Sequence, residues 1–337
     1  MSDQQTRKTE TVSVRAPDAG MRLDRWFRQH YPHVTNGHLQ KLLRKGVVRV
    51  DAKKVAANAR VEEGAQVQMP LALVSPDQAL PASPSVKPPL GLSKADRKLI
   101  DDMILYEDDD VVVLNKPQGL AVQGGSGTVR HIDGLLAGMQ DRFGDRPRLV
   151  HRLDRDTTGV LLVAKSRAVA ATLGEVFRSR SAAKTYWALV IGVPRPAQGK
   201  IEAALVKASG PEGDRVRRAR PGEQDRAMHA TTHYNVIERC GTKAAWVSLK
   251  PVTGRQHQLR AHMASIDHPI AGDNKYEGGM TLPAENMSQR LHLHARRLVI
   301  PRPSGSGSID VTAPLPAHMR ETWDLLGLNA DRYEATD

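Results

Sequence analysis

The 337-residue chain is long enough for two or three domains, and its 40% hydrophobic residues can supply a sizeable core. Its 49 Lys and Arg residues outnumber the 37 Asp and Glu residues, and the formal net charge of +12 favours a polyanionic partner, most often nucleic acid, over a merely basic soluble enzyme. The single cysteine, Cys240, excludes an intramolecular disulfide and a thiolate metal cluster, and the polar N-terminus without any long apolar run predicts a soluble, cytoplasmic protein.

Residues 1–12 are polar and predict a disordered tail, and residues 13–75 predict a small, compact domain. Within that domain, "RLDRWFRQHYP" predicts a helix that ends near Pro32. "TNGHLQKLLRKG" predicts a second helix, with Thr35 as its N-cap and Gly46 as its C-terminal stop. "VVRVDAKKV" then predicts a strand, a turn and the start of another strand.

Positive charge is concentrated in this domain, where ten Lys or Arg residues between Gly20 and Arg60 face only Asp24 and Asp51. Basic side chains on adjacent helices can bind RNA phosphates without reading the base sequence. The alternative is a solvated basic face, but the clustering favours RNA. The candidate phosphate contacts are Arg22, Arg25, Lys41, Arg44 and Lys45.

Five prolines in a stretch of low hydrophobicity predict a semi-rigid linker over residues 76–95. In residues 96–327, short strand patterns alternate with a few helices, of which 166–178 and 256–265 are the clearest. This mixture predicts an α+β fold with a mixed, mainly antiparallel sheet in the larger domain. Residues 207–226 are rich in charge and predict a mobile loop, and residues 328–337 predict a second tail.

Two carboxylates lie between apolar strands in "RLVHRLDRDTTGVLLVAKS", residues 148–166. Burying a carboxylate is costly unless it has a partner. Either Asp154 and Asp156 are structural turn residues, or one of them performs chemistry. The residues alone leave the two aspartates as nearly equal candidates.

The same stretch resembles the signature of the RluA-type pseudouridine synthases. Further matches follow in the family's order: "LNKPQGLAVQGGSG" (114–127), "KTYWALVIG" (184–192), "PVTGRQHQLRAHMASIDHPIAGDNKYEG" (251–278) and "LHLHARRLVIPRP" (291–303). The small domain resembles the alpha-L RNA-binding domain, from which it departs at Asn36. Within the family, the RluC-type group shares this N-terminal domain, and Gln123 stands where relatives often carry histidine.

The resemblance implies an RNA-modifying isomerase that needs no cofactor and no metal. It implies that Asp154 is the catalytic aspartate, as nucleophile or as base at the sugar, and that Asp156 is a turn residue. Arg260 resembles the basic partner of that aspartate, with Arg255 as its competitor. Tyr186 is expected to stack on the target base and to offer its hydroxyl for a late proton removal. The remaining expectations are that Leu293 lines the site and that Arg152 contacts an RNA phosphate.

The expected partner is large-subunit ribosomal RNA, bound by a monomer with no membrane and no nucleotide cofactor. Alternatives are a synthase of the same family acting on other ribosomal or transfer RNA sites, and a non-catalytic RNA-binding protein of ribosome assembly. A zinc hydrolase is the weakest alternative. It depends on the clustered histidines His257, His262, His268, His292 and His294, which lack a supporting cysteine. The "GGSGT" stretch lacks the lysine of a phosphate-binding loop and predicts a tight turn.

Overall fold

A computed structural model of the chain describes residues 9–73, 92–124, 130–210, 213–276 and 282–333. These residues group into two compact units, one within 9–73 and the other within 92–333. The predicted tails, linker and tight turn fall partly outside the described residues, at 1–8, 76–91, 125–128 and 334–337. None of the helices within the described ranges is long and apolar enough to cross a membrane.

The small unit packs two helices with a three-stranded antiparallel sheet of order β1-β3-β2. Its elements are β1 (Thr9–Ser13), α1 (Leu23–His30), α2 (Asn36–Lys45), β2 (Arg49–Val50) and β3 (Gln66–Pro70). Leu23, Trp26 and Phe27 recur at the spacing of one helix face and are all buried, which anchors α1 in the core. The predicted caps of α2 are present, since Thr35 accepts a backbone hydrogen bond and Gly46 adopts a left-handed φ of 70°.

Two expectations for this unit were wrong in detail. The predicted tail of residues 1–12 includes most of β1, which pairs with β3 from Thr9 opposite Pro70 onward. A polar edge strand with one half-buried face carries little hydrophobic signal, so the sequence did not reveal it. In "VVRVDAKKV" the predicted turn is present at Asp51 and Ala52, which have positive φ, but the strand before it contains only two residues.

The large unit is built around an 11-stranded mixed sheet, which confirms the predicted α+β class. Its strands are β4 (Ile104–Glu107), β5 (Val111–Lys116), β6 (Arg148–Leu149), β7 (Thr158–Ala164), β8 (Ala183–Ile191), β9 (Gln198–Gly210), β10 (Gly213–Arg218), β11 (Met228–Cys240), β12 (Ala244–Pro251), β13 (Leu293–Pro301) and β14 (Ser308–Thr312). Its helices are α3 (Lys94–Met103), α4 (Ile132–Ala137), α5 (Gln140–Phe143), α6 (Arg167–Arg178), α7 (Gln258–Ala264) and α8 (Ala317–Leu325).

The path of the sheet is β10-β9-β11-β12-β8-β13-β7-β5-β4, with β14 beside β13 and β6 beside β7. Among the described pairings, β7 with β13 is parallel and the others are antiparallel. Every residue of β7 is buried, as the apolar run "VLLVA" predicts. The loop between β6 and β7, which carries both candidate aspartates, therefore leads directly into a fully buried interior strand of the sheet.

Three boundaries in the large unit also differ from the predictions. Residues 207–226 are not simply a loop, because β9 and β10 form a hairpin in which buried Val216 alternates with charged neighbours. The predicted linker of 76–95 overlaps the first turn of α3, which begins at Lys94. Within the predicted tail of 328–337, residues 328–333 pack on the core, since Leu328 is buried and Tyr333 contacts Trp246 edge to face.

Gly159 lies where β7 pairs with β13, and its backbone φ of +103° is one that residues with a side chain rarely adopt. An added Cβ would lie 2.1 Å from the carbonyl oxygen of Ala295. We therefore expect Gly159→Ala to lower the free energy of unfolding by more than about 2 kcal/mol. Gly174→Ala is the matched control, because that glycine lies in α6 with open space around it. The control should be neutral or stabilising by up to about 1 kcal/mol in urea unfolding, and equal effects of the two changes would contradict the packing argument.

Candidate active site

A cavity of about 560 Å³ opens beside the loop between β6 and β7. This volume lies within the ~300–1,000 Å³ that is typical of small-molecule sites. The cavity brings together Arg152, Asp154, Tyr186, Arg260 and Leu293, the five site residues predicted within the larger domain. Gln123 is exposed and does not line the cavity.

Most of the charged side chains that line the cavity are cationic. Asp154 is the one carboxylate among the described lining residues. The cationic side chains around the same cavity are Arg152, Arg178, Arg180, Lys184, Arg255 and Arg260. A surface on which cations outnumber carboxylates in this way is electrostatically suited to an anionic ligand.

Asp154 begins a tight turn in the loop between β6 and β7. The turn is closed by a hydrogen bond in which the Thr157 N–H donates to the Asp154 carbonyl at 3.2 Å. The side chain of Asp154 is 17% exposed, so the carboxylate is accessible from the cavity although most of it is covered. Asp156 is nearly half exposed and lies 3.8 Å from Arg155. The structure therefore separates the two aspartates that the sequence left equal, because only Asp154 lines the cavity.

Arg260 is buried in α7, and its guanidinium is fixed mainly by Asp273. Its Nε and Nη2 atoms donate to the two carboxylate oxygens of Asp273 at 2.7 and 2.6 Å. Its Nη1 atom lies 4.0 Å from Asp154 Oδ2. Burial opposes the charge, but the hydrogen bonds and charge of Asp273, with a contribution from Asp154, hold the pKa of Arg260 above its usual range.

Asp273, the ion-pair partner of Arg260, is a residue of this site that the sequence motifs did not single out. It is almost fully buried, 13 residues beyond Arg260, within the quoted stretch 251–278. The signal in the sequence was that Asp273 is an acidic residue in the same family-matching stretch as Arg260. Arg255, the competitor of Arg260, lies at the cavity wall and donates to the His229 carbonyl at 3.3 Å.

Tyr186 lies on β8, and its half-buried side chain lines the cavity. Burial raises the pKa of Tyr186 well above its usual range, and the charge of Asp154 raises it further. The phenol is therefore neutral near pH 7. This state suits a stacking surface and a hydroxyl donor, while the expected late proton removal stays a prediction.

Lys116 links the "NKPQG" segment by hydrogen bonds to the loop that carries Asp154. The fully buried ammonium donates to the carbonyls of Pro117, Leu120 and Arg155 at 2.8, 3.0 and 2.8 Å. Burial lowers the pKa of Lys116 to about 7, whereas Asp156 and Asp154 raise it. Three acceptors match the three N–H bonds of the charged form, which fixes the backbone next to Asp154.

The histidines that cluster in sequence do not share one site. His292 lies beside the Ala271 carbonyl and the Thr322 hydroxyl, and His294 lies beside the Thr158 hydroxyl. Burial lowers the pKa of His292 to about 4, so its ring is neutral near pH 7. These rings join buried segments by hydrogen bonds within the core.

The cavity combines one carboxylate with several cationic side chains, and comparisons with known proteins identify the class of the protein. The family model described as RNA pseudouridylate synthase matches residues 110–265. That range contains Asp154, Tyr186 and Arg260, whereas Asp273 and Leu293 lie beyond it.

Curated relatives cover almost the whole chain. The ribosomal large subunit pseudouridine synthase C of Salmonella typhi is 36% identical over 331 residues, covering 95% of this chain and 98% of that protein. The protein of the same name from Escherichia coli is 37% identical over 320 residues, covering 91% and 95%. A solved structure of human RNA pseudouridylate synthase domain containing 4 aligns with a TM-score of 0.57 at 30% identity, covering 69% of this chain and 95% of that one. The chain therefore belongs to the RluA-type family of RNA pseudouridine synthases, which are isomerases.

The two contacts of Arg260 can be separated by mutation. Arg260→Ala leaves the buried Asp273 carboxylate without its partner, so we expect a loss of about 3–5 kcal/mol in the free energy of unfolding. Arg255→Ala removes a more exposed cation and should change the free energy of unfolding by less than about 1 kcal/mol. Chemical denaturation measures both variants, together with single-turnover conversion at saturating RNA.

Arg260→Met combined with Asp273→Leu removes both charges and should recover most of the lost stability. The double variant should nevertheless stay at least about tenfold slower than the Arg255→Ala variant, because Asp154 has lost its nearest permanent cation. Recovery of both stability and rate in the double variant would show that Arg260 serves the fold alone.

Proposed function

We propose that this enzyme isomerises specific uridines of large-subunit ribosomal RNA to pseudouridine, with Asp154 as the catalytic residue. The observation that carries the assignment is the single carboxylate lining a cavity whose other charged side chains are cationic. The names and coverage of the relatives support the choice of RNA.

The chemistry needs one group that acts at the sugar. The N1–C1′ glycosidic bond of uridine breaks, the uracil turns, and C5 bonds to C1′. C5 then loses a proton and N1 gains one, so atoms and redox state balance without a cofactor. Asp154 assists either as a nucleophile at C1′ or as a base at the ribose, and both roles require its ionised form.

The neighbours of Asp154 have distinct roles in this proposal. Arg260 stabilises the carboxylate through Nη1, and Tyr186 stacks on the uracil after the nucleotide leaves the RNA stack. Leu293 lines the pocket, and Arg152 contacts a phosphate at its rim. A monomer that acts in the cytoplasm is part of this proposal, in line with relatives named for the ribosomal large subunit.

The small unit supplies RNA affinity in this proposal. Lys41, Arg44 and Lys45 are exposed on α2, and Arg25 is exposed on α1. Arg22 already pairs with Asp24, from Nη2 to a carboxylate oxygen at 2.6 Å. The α2 cations have no ion-pair partner among the described residues, so they are better placed for phosphate than Arg22.

Asp154→Asn should abolish isomerisation, with a rate loss of at least about a thousandfold, because the amide can neither attack nor accept a proton. Asp156→Asn is the matched control and should keep a rate near that of the wild type. Single-turnover conversion of large-subunit ribosomal RNA measures both, with pseudouridines mapped in parallel in small-subunit and transfer RNA. Turnover by the Asp154→Asn variant would refute the catalytic assignment, and conversion of transfer RNA alone would refute the substrate.

Replacing Lys41 and Arg44 by Gln should weaken RNA binding and reduce the slope of log affinity against log salt by roughly one to two, because fewer counterions are released. Replacing Arg239 and Lys243 by Gln is the matched control. These exposed residues lie at the β11–β12 turn, at the opposite end of β12 from the cavity residue Pro251. The rate at saturating RNA should not change in either variant, since uniform binding does not set turnover. Equal salt slopes in the two double variants would show that the α2 cluster is only a solvated face.

A further inference from the structure

His257 approaches Asp154 as closely as Arg260 does, but sequence reasoning gave it no catalytic role. Its Nε2 atom lies 3.9 Å from Asp154 Oδ2, the oxygen that Arg260 Nη1 approaches at 4.0 Å. The residue is buried and lines the cavity. Two of the donors of Arg260 are already bonded to Asp273, so His257 is the second group that can act on the Asp154 carboxylate.

The backbone holds His257 in an unusual conformation. Its φ of 51° is left-handed, a state that costs a non-glycine residue about 1–3 kcal/mol. The next residue, Gln258, is buried and makes hydrogen bonds to Thr253, Thr231 and Thr232 at 2.7–3.0 Å. These bonds fix the turn before α7 and with it the direction of the His257 ring.

Tyr276 places its hydroxyl within hydrogen-bond distance of Nδ1 of His257. The Val216 N–H donates to Tyr276 Oη at 2.8 Å, and Oη lies 3.1 Å from His257 Nδ1. Burial raises the pKa of Tyr276 to about 12, so the hydroxyl keeps its hydrogen near pH 7. When that hydrogen is donated to Nδ1, the backbone N–H, the hydroxyl and the imidazole are all satisfied. The neutral ring then carries its hydrogen on Nε2, which faces Asp154.

We infer that Tyr276 and His257 form a hydrogen-bond chain that orients the Asp154 carboxylate for attack or proton abstraction at the sugar. The chain runs from the Val216 N–H through Tyr276 Oη to His257 Nδ1, and from the Nε2–H toward Asp154 Oδ2. This contact shortens to a hydrogen bond when RNA fills the cavity, which leaves Oδ1 directed to the ribose. Both residues are positioning residues, and the inference rests on the proposed catalytic role of Asp154.

The hydrogen-bond chain through Tyr276 and His257 supplies a donor to Asp154 without adding a second positive charge. Burial lowers the pKa of His257, and Arg260 and Lys275 lower it further, although Asp154 and Asp273 oppose them. The neutral imidazole can therefore direct one carboxylate oxygen while Arg260 supplies the charge. A fixed tautomer is required, because the other tautomer would present a lone pair to the carboxylate.

The test compares Tyr276→Phe, His257→Gln and the double variant in the full-length protein. Tyr276→Phe should lower the single-turnover rate at saturating RNA by about tenfold and leave RNA affinity unchanged, because only the orientation of Asp154 is affected. His257→Gln should stay within about threefold of the wild type, since the glutamine amide can place an N–H near the former Nε2 position. The double variant should match His257→Gln, because an amide has no tautomer for Tyr276 to select.

Tyr234→Phe is the matched control, since it removes another buried hydroxyl, one that donates to the Pro196 carbonyl. A Tyr276→Phe rate equal to that of this control, or additive losses in the double variant, would overturn the inference. Nitrogen-15 NMR of the histidine rings reads the tautomer directly, and a hydrogen on Nδ1 of His257 would also overturn it. Full activity of the Asp154→Asn variant would instead refute the proposed function, so the two failures are distinguishable.

Discussion

The site depends on the buried pair of Arg260 and Asp273. Two charges taken out of water are tolerated only when their geometry is good and their hydrogen bonds are satisfied, and this pair is bidentate at 2.6–2.7 Å. Because Asp273 compensates most of the guanidinium, Arg260 can remain buried and charged whether or not Asp154 is present. The remaining donor, Nη1, then presents a fixed positive charge to the cavity, 4.0 Å from Asp154 Oδ2.

The position of Asp154 depends equally on backbone contacts that carry no chemistry. Lys116 binds the Arg155 carbonyl, and the Gly119 N–H donates to that same oxygen at 3.0 Å. Gly159 lets β7 approach β13 at the end of the loop. A loop held at both ends loses little conformational freedom when a substrate binds, which is the requirement for a catalytic group that must be placed to within a fraction of an ångström.

Sequence patterns predicted those parts of the fold that depend on neighbouring residues. The caps of α2, the helix at 166–178 and the buried strand β7 follow from local hydrogen bonding and from hydrophobic periodicity, and the structure agrees. The β9–β10 hairpin was missed because its apolar positions alternate with arginines and read as a charged loop. The α+β class and the family are confirmed by the structure and the relatives, whereas the catalytic roles of the site residues stay predictions.

The parts of the site that the sequence could not reveal are those that depend on long-range contacts. Asp273 and Tyr276 looked like ordinary residues of a polar segment, and only the fold brings them against α7. The ring of Tyr276 lies under the Arg260 guanidinium at 5.1 Å while its hydroxyl faces His257. One tyrosine thus contacts both groups that approach Asp154, so the charge and the hydrogen bond offered to the carboxylate are set by a single packed unit. Val216 connects that unit to β10, and the hairpin read as a surface loop is therefore part of the support for the active site.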